Sequence, residues 1–176
     1  MLAKSARLHG GQFTASLIRM SAFDIRLATA ADAARIAAMS RDHIEHGLGW
    51  HYRRDAILAE IADPDANVIT AYFEEELAGF AIMRYAGFEA HLVLFAVRPG
   101  SRRQGAGTQL IKWLVKTAQV AGAQAVYVEL RRNNTIALKF YESLGFTRIE
   151  SMPGYYRAAE DGVRMALDLR HVPAED

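Results

Sequence analysis

The chain has 176 residues, a length that fits one domain, since domains cluster at ~100–200 residues. Its residues are 51% hydrophobic and 23% charged, an ordinary globular composition that excludes a fibrous or wholly disordered chain. With 21 Lys and Arg against 20 Asp and Glu the formal charge is +1, so no global field draws it to nucleic acid or an anionic membrane. The absence of cysteine excludes a disulfide scaffold, thiolate metal sites and a cysteine nucleophile. It is compatible with a reducing compartment, so a cytoplasmic location is expected. No apolar run approaches the ~18 residues of a membrane span.

Residues 1–23 stand apart as a leader. They carry Lys4, Arg7 and Arg19, no acid and no strong period. Met20-Ser21-Ala22 reads as a translation start, so the first nineteen residues are expected to be upstream sequence or a poorly ordered arm. From Asp24 the pattern alternates between strand and helix. Ile25 and Leu27 mark a short strand, and Thr29-Ala30-Ala31-Asp32 has the form of a capping box before a helix through Ala33, Ile36 and Met39. A second helix spans Arg53 to Ile61 and stops at Asp63-Pro64. Val68–Phe73 and Leu77–Tyr85 form a hairpin around Glu74-Glu75-Glu76.

His91 to Val97 has the density of a central strand. A basic, glycine-rich loop follows, then a helix whose Leu110, Ile111, Leu114, Val115 and Ala118 share a face, ending at Gly122. Ala125–Leu130 reads as a strand, Asn134–Leu144 as a helix closed by Gly145, and Phe146–Ile149 and Val163–Leu169 as the last strands. The expected organisation is one α+β domain over residues 24–170 on a mixed, mostly antiparallel sheet, with a tail at 171–176.

The chemistry concentrates in Arg102-Arg103-Gln104-Gly105-Ala106-Gly107. Two glycines let backbone amides approach a ligand, and a helix N-terminus adds free N–H groups and a positive dipole end. Arg98 to Lys116 holds five cations and no carboxylate, so the physical reading is a pyrophosphate site. A Walker loop would need Lys then Ser or Thr where Ala106 and Gly107 stand, and a dinucleotide fingerprint would need glycine at Leu110. The plain alternative is a glycine-rich surface turn with solvated arginines.

Arg102-x-x-Gly105-x-Gly107 after Val97-Arg98-Pro99 resembles the acetyl-CoA signature of the GNAT N-acetyltransferases. Asn134-x-x-Ala137-x-x-x-Tyr141, running on through Glu142-Ser143-Leu144-Gly145-Phe146, is similar to that family's C-terminal helix and strand. The likeness covers about Asp24 to Leu169. It implies a sheet with helices on both faces, acetyl-CoA as co-substrate and a primary amine as acceptor. The residues it implies around acetyl-CoA are Phe95, Ala96, Val97, Arg102, Arg103, Gln104, Gly105, Ala106, Gly107, Thr108 and Asn134. The C-terminal half more closely resembles bacterial ribosomal-protein N-terminal alanine acetyltransferases, which implies Glu129 as general base and Tyr141 as general acid. Gly154-Tyr155-Tyr156 is similar to a paired tyrosine there. Gly47 to Tyr52, the segment that shapes the acceptor pocket in similar enzymes, departs from that subgroup.

Other readings stand beside these. Glu129 could pair with Arg131 or Arg157, Tyr141 could be a core residue, and Glu89 or His91 could supply the base. His43, His46 and His51 lack a clear carboxylate or third-ligand motif, so no metal is expected. The rival function is a noncatalytic acyl-CoA-binding regulatory module. No nucleic-acid motif is present. The acceptor amine, and whether the protein is a monomer or a homodimer, are open at this level.

Overall fold

The computed structural model describes residues 23–45, 47, 49–156 and 160–170. The leader 1–22, His46, Leu48, Arg157 and the tail 171–176 lie outside the described residues. Strands β1 (Asp24–Leu27), β2 (Ala66–Phe73), β3 (Glu76–Ala86), β4 (Glu89–Val97), β5 (Ala125–Arg131), β6 (Thr147–Tyr156) and β7 (Glu160–Asp168) form one sheet in the order β1-β2-β3-β4-β5-β7-β6. Only the β4–β5 pair is parallel. Four helices flank it: α1 (Ala33–His43), α2 (Arg54–Ala62), α3 (Ala106–Val120) and α4 (Thr135–Ser143).

Each helix buries the stripe that its periodicity marks. Ile36, Ala37 and Met39 of α1 and Ile57 of α2 pack with Val68, Phe80, Ile82, Leu94 and Ala96 on one face of the sheet. Leu110, Ile111, Leu114 and Ala118 of α3 and Leu138 and Tyr141 of α4 pack with Met83, Leu92, Val126, Val128 and Met165 on the other. The predicted capping box is built: the Asp32 carboxylate accepts from the Thr29 backbone N–H at 2.7 Å and from its hydroxyl at 2.9 Å. The first turn there is 3-10, and α1 proper starts at Ala33. Phe23, at the end of the stretch read as leader, is buried, with its ring centroid 5.9 Å from that of Phe73.

Two features position the site. β4 carries a bulge at Val93, for Ile82 pairs with Leu94 while Met83 pairs with Leu92. The extra residue switches the strand's alternation, so Ala90 and Leu92 face α3 while Leu94 and Ala96 face α1. Pairing with β5 then stops. The ladder runs only from Glu89–Ala125 to Leu92–Val128, and beyond it the two parallel strands separate into a wedge. The second feature corrects the sequence reading: β6 does not end at Ile149 but runs to Tyr156, through Pro153 and an irregular register with β7. Proline survives there because β6 is an edge strand, where a missing N–H costs no ladder bond.

Candidate active site

The loop leaving β4 is braced by its own side chains. A 3-10 turn at Pro99–Ser101 buries Ser101; the Arg102 Nε donates to the Val97 carbonyl at 3.0 Å, and the Gln104 amide to that of Gly100 at 2.8 Å. Gly105 caps α3 at φ +92°, a left-handed conformation that a residue with a Cβ adopts only under strain. Gly107 serves a different need. A Cβ there would sit 3.1 Å from Phe95 Cζ and 3.3 Å from Phe140 Cζ, so this glycine lets the first turn of α3 lie against β4 and α4.

The first α3 bond through the cap is Gln109 N–H to the Gly105 carbonyl, and the N–H groups of Gln104 to Thr108 have no backbone acceptor among the described residues. Consecutive free donors at a helix N-terminus fit a phosphate-bearing ligand. Arg98, among the five cations, pairs with Glu76. Asn134 caps α4, its side-chain oxygen accepting from the Ala137 N–H at 3.1 Å.

Glu129 lies one residue past the last β4–β5 pair. Val126, Val128 and Leu130 point into the core under α3 and α4, so by alternation Glu129 points to the opposite face, the one that carries α1 and α2 further along the sheet. Its cross-strand neighbour Arg164 donates to Oε1 through Nε at 3.0 Å and Nη2 at 2.8 Å, while the Tyr155 hydroxyl donates to Oε2. Arg164 also reaches Glu150 at 2.8 Å. Partial burial pushes the Glu129 carboxyl up, but the hydrogen bonds from Tyr155 and Arg164 outweigh it and hold the group below its usual range. The same bond, with burial, raises the Tyr155 phenol to about 12.

Tyr141 is buried in an aromatic nest, with ring centroids at 5.3 Å from Phe140, 5.3 Å from Phe146 and 6.1 Å from Phe95 of the separated half of β4. Burial, with Tyr156 adding, pushes its phenol far above the ordinary range, so it stays protonated and able to donate. Among the described residues its hydroxyl has no hydrogen-bond partner. Glu129 and Tyr141 belong to opposite faces of the sheet, but the wedge opens the sheet between them. Tyr156 is close enough to feel both: burial and the Glu129 charge raise its phenol, and it in turn acts on Tyr141.

Of the alternative bases, His91 lies near enough to Glu129 to act on its carboxyl, and Glu89 lies further off. Glu89 sits at the closed end of the wedge, about 20 Å along β4 from Phe95 at ~3.3 Å per residue, beside a hollow of about 430 Å³. His91 contacts Glu89 at 3.2 Å and stacks on Tyr127 at 5.3 Å. Arg131 pairs with Glu160 at 2.7 Å rather than with Glu129. The sequence reading missed Arg164 altogether, and it named Tyr155 only as half of a tyrosine pair. Among the described residues no helix is long and apolar enough to cross a membrane.

The profile of the acetyltransferase (GNAT) family matches residues 35–146. The ribosomal protein bS18 alanine N-acetyltransferase of Salmonella typhimurium is 34% identical over 99 residues, 54% of this chain and 67% of that one. An N-alpha-acetyltransferase of Sulfurisphaera tokodaii is 27% identical over 160 residues, 84% of this chain and 93% of that one. The crystal structure of the ribosomal-protein-S18-alanine N-acetyltransferase from Escherichia coli has the same fold, with a TM-score of 0.71 at 24% identity over 88% of this chain and 99% of that one. The wedge, the amide-lined loop and the family match converge: the chain belongs to the GNAT family of acetyl-CoA-dependent N-acetyltransferases.

Proposed function

We propose that the protein acetylates the α-amine of a polypeptide N-terminus, with Glu129 as base and Tyr141 as acid. The observation that carries this reading is the wedge. It leaves the β5-facing edge of β4 unpaired beyond Leu92, with Glu129 at its mouth on one side and Tyr141 against Phe95 on the other. The loop amides of Gln104 to Thr108, braced by Arg102, would hold the phosphates, with Arg103 adding positive charge. Acetyl-CoA, when bound, supplies the acetyl group as a thioester. The backbone of Phe95, Ala96 and Val97 would stabilise the developing oxyanion at the open edge. Glu129 takes the proton that the amine loses, through water, and Tyr141 returns one from its hydroxyl to the departing thiolate, so the protons balance.

The acceptor choice follows from basicity. An α-amine has a pKa near ~8 and a lysine near ~10.4, so at neutral pH the free-base fraction differs on the order of 10²-fold. A carboxylate held below its usual range is a weak base, which suits the more acidic amine. The two relatives act, by their names, on N-termini.

The test is acetylation of peptides bearing one free α-amine against N-terminally blocked peptides bearing one lysine, read by CoA release and intact mass. The α-amine is expected to react. Glu129→Gln keeps the side-chain size and is expected to lose about 10²–10⁴ in kcat, recovering at high pH where free amine is abundant. Normal turnover by Glu129→Gln, with loss in Glu89→Gln or His91→Ala, would move the base to the closed end of the wedge.

A further inference from the structure

The segment between α1 and α2 is built around a buried carboxylate that the catalytic reading does not use. Glu45 is 7% exposed. Its oxygens accept from the Ser40 hydroxyl at 3.0 Å and from the backbone N–H groups of His51 at 2.6 Å and Tyr52 at 3.2 Å. A buried carboxylate persists only where donors replace its water, and here one donor belongs to α1 and two to the chain returning toward α2. Glu45 therefore clamps the loop.

The clamped loop presents Trp50. Its indole N–H donates to the Tyr52 carbonyl at 3.1 Å, and two guanidinium groups lie over its ring, Arg41 at 5.4 Å and Arg53 at 5.5 Å from the centroid. Arg41 is shared with Asp42, whereas Arg53 has no carboxylate within ion-pair distance among the described residues. The packing anchors this loop on the face of the sheet that carries α1 and α2. Ile44 and Tyr52, which bracket the loop, join the same apolar cluster as Val93, Leu94 and Ala96, the part of β4 without a β5 neighbour. Glu129 points to this same face.

We propose that Glu45 is a positioning residue for a cationic aromatic wall, Arg41–Trp50–Arg53, that selects acceptor chains carrying an acidic side chain directly after the reacting amine. This rests on the α-amine reading above. An extended acceptor whose amine reaches Glu129 alternates its side chains, and an Asp or Glu beside the amine could meet Arg53 without disturbing Glu129. A basic residue there would be repelled.

The experiment uses three decapeptides identical except for Asp, Gln or Lys at residue 2, with acetyl-CoA saturating. The expected order of kcat/KM is Asp, then Gln, then Lys, spanning about tenfold or more and narrowing at high salt. Arg53→Glu is expected to erase or reverse the order, and Glu45→Ala to raise KM for all three peptides while the thermal shift given by acetyl-CoA is kept. Glu45→Gln, whose carbonyl oxygen still accepts from His51 and Tyr52, is expected to recover part of the loss. If Glu45→Ala fails to fold, Glu45→Gln and Arg53→Glu carry the test. Equal turnover of the three peptides, or an order untouched by Arg53→Glu, overturns this proposal alone. No turnover of any peptide by a protein that still binds acetyl-CoA overturns the α-amine reading, and this one with it.

Discussion

The two sides of the wedge are made of different material. On the α3 side the working groups are backbone amides, from Gln104 to Thr108, set by two glycines and one short run of sequence. On the β5 side the candidate groups are side chains: Glu129 fixed by Tyr155 of β6 and Arg164 of β7, and Tyr141 fixed by rings from β4, α4 and the turn after it. The first side depends on local conformation and the second on contacts made across the whole fold. Substitutions on the two sides should therefore fail in different ways.

The largest effect is expected on the backbone side. Wild-type protein at an acetyl-CoA concentration of ~100 Kd should gain about 2.7 kcal/mol by mass action, a rise of ~5–10 °C in Tm for a chain of this size. Gly105→Val forces a β-branched residue to φ +92°, and Gly107→Val presses on Phe95 and Phe140, so both should lose that shift and with it all turnover. ATP and NAD should give no shift; an equal shift with ATP would break the comparison at its first term.

Next comes Tyr141→Phe. It deletes a hydroxyl that has no protein partner among the described residues, so Tm should move by less than ~1 kcal/mol equivalent while kcat falls about 10²-fold and acetyl-CoA still binds. Full activity with altered stability would make Tyr141 a core residue and nothing more.

Arg164→Gln should be milder, on the order of tenfold in kcat/KM, and its signature is the pH dependence. The Glu129 carboxyl is held low in the folded protein, so its bonds contribute stability above the usual carboxylate range and lose it as pH falls through the folded value. The variant should thus be less stable than wild type near neutrality, and the two melting curves should converge toward acid. A gap that persists at low pH would assign Arg164 a packing role instead.

The smallest change lies outside both sides. A chain beginning at Met20 should keep its thermal midpoint within about 2 °C, well under 1 kcal/mol. Phe23→Ala, which empties a buried ring site, should cost far more.

This contrast also explains what could be read from the sequence. The loop, the capping box at Thr29 and the α3 stripe are local patterns, with donors, acceptors and periodic positions within a few residues of one another. Arg164 is 35 residues from Glu129 and Tyr155 is 26, and both lie beyond the family match at 35–146. No spacing rule joins them; only the strand order β5-β7-β6 does. The Val93 bulge was equally hidden, because an apolar run such as Leu92 to Val97 looks the same whichever face each residue takes. The expected strand stopped at Ile149, and an edge position lets β6 continue through Pro153 to Tyr156. Glu45 was hidden as well, since two of its donors are main-chain groups and only Ser40 gives it a side-chain partner.

The sheet's outer borders carry a consequence for crowded solution. β1 offers only four residues of open edge, and β6 breaks its own with Pro153 and Gly154 and carries the charged side chains of Arg148 and Glu150. Neither border makes a long flat template for another molecule's strand, so two such sheets gain little by joining edge to edge. A further stretch of strand edge without a ladder partner is internal, on β4 beyond Leu92 where β5 has turned away. A neighbouring molecule therefore meets one short border and one interrupted by Pro153 and Gly154, rather than a continuous strand edge.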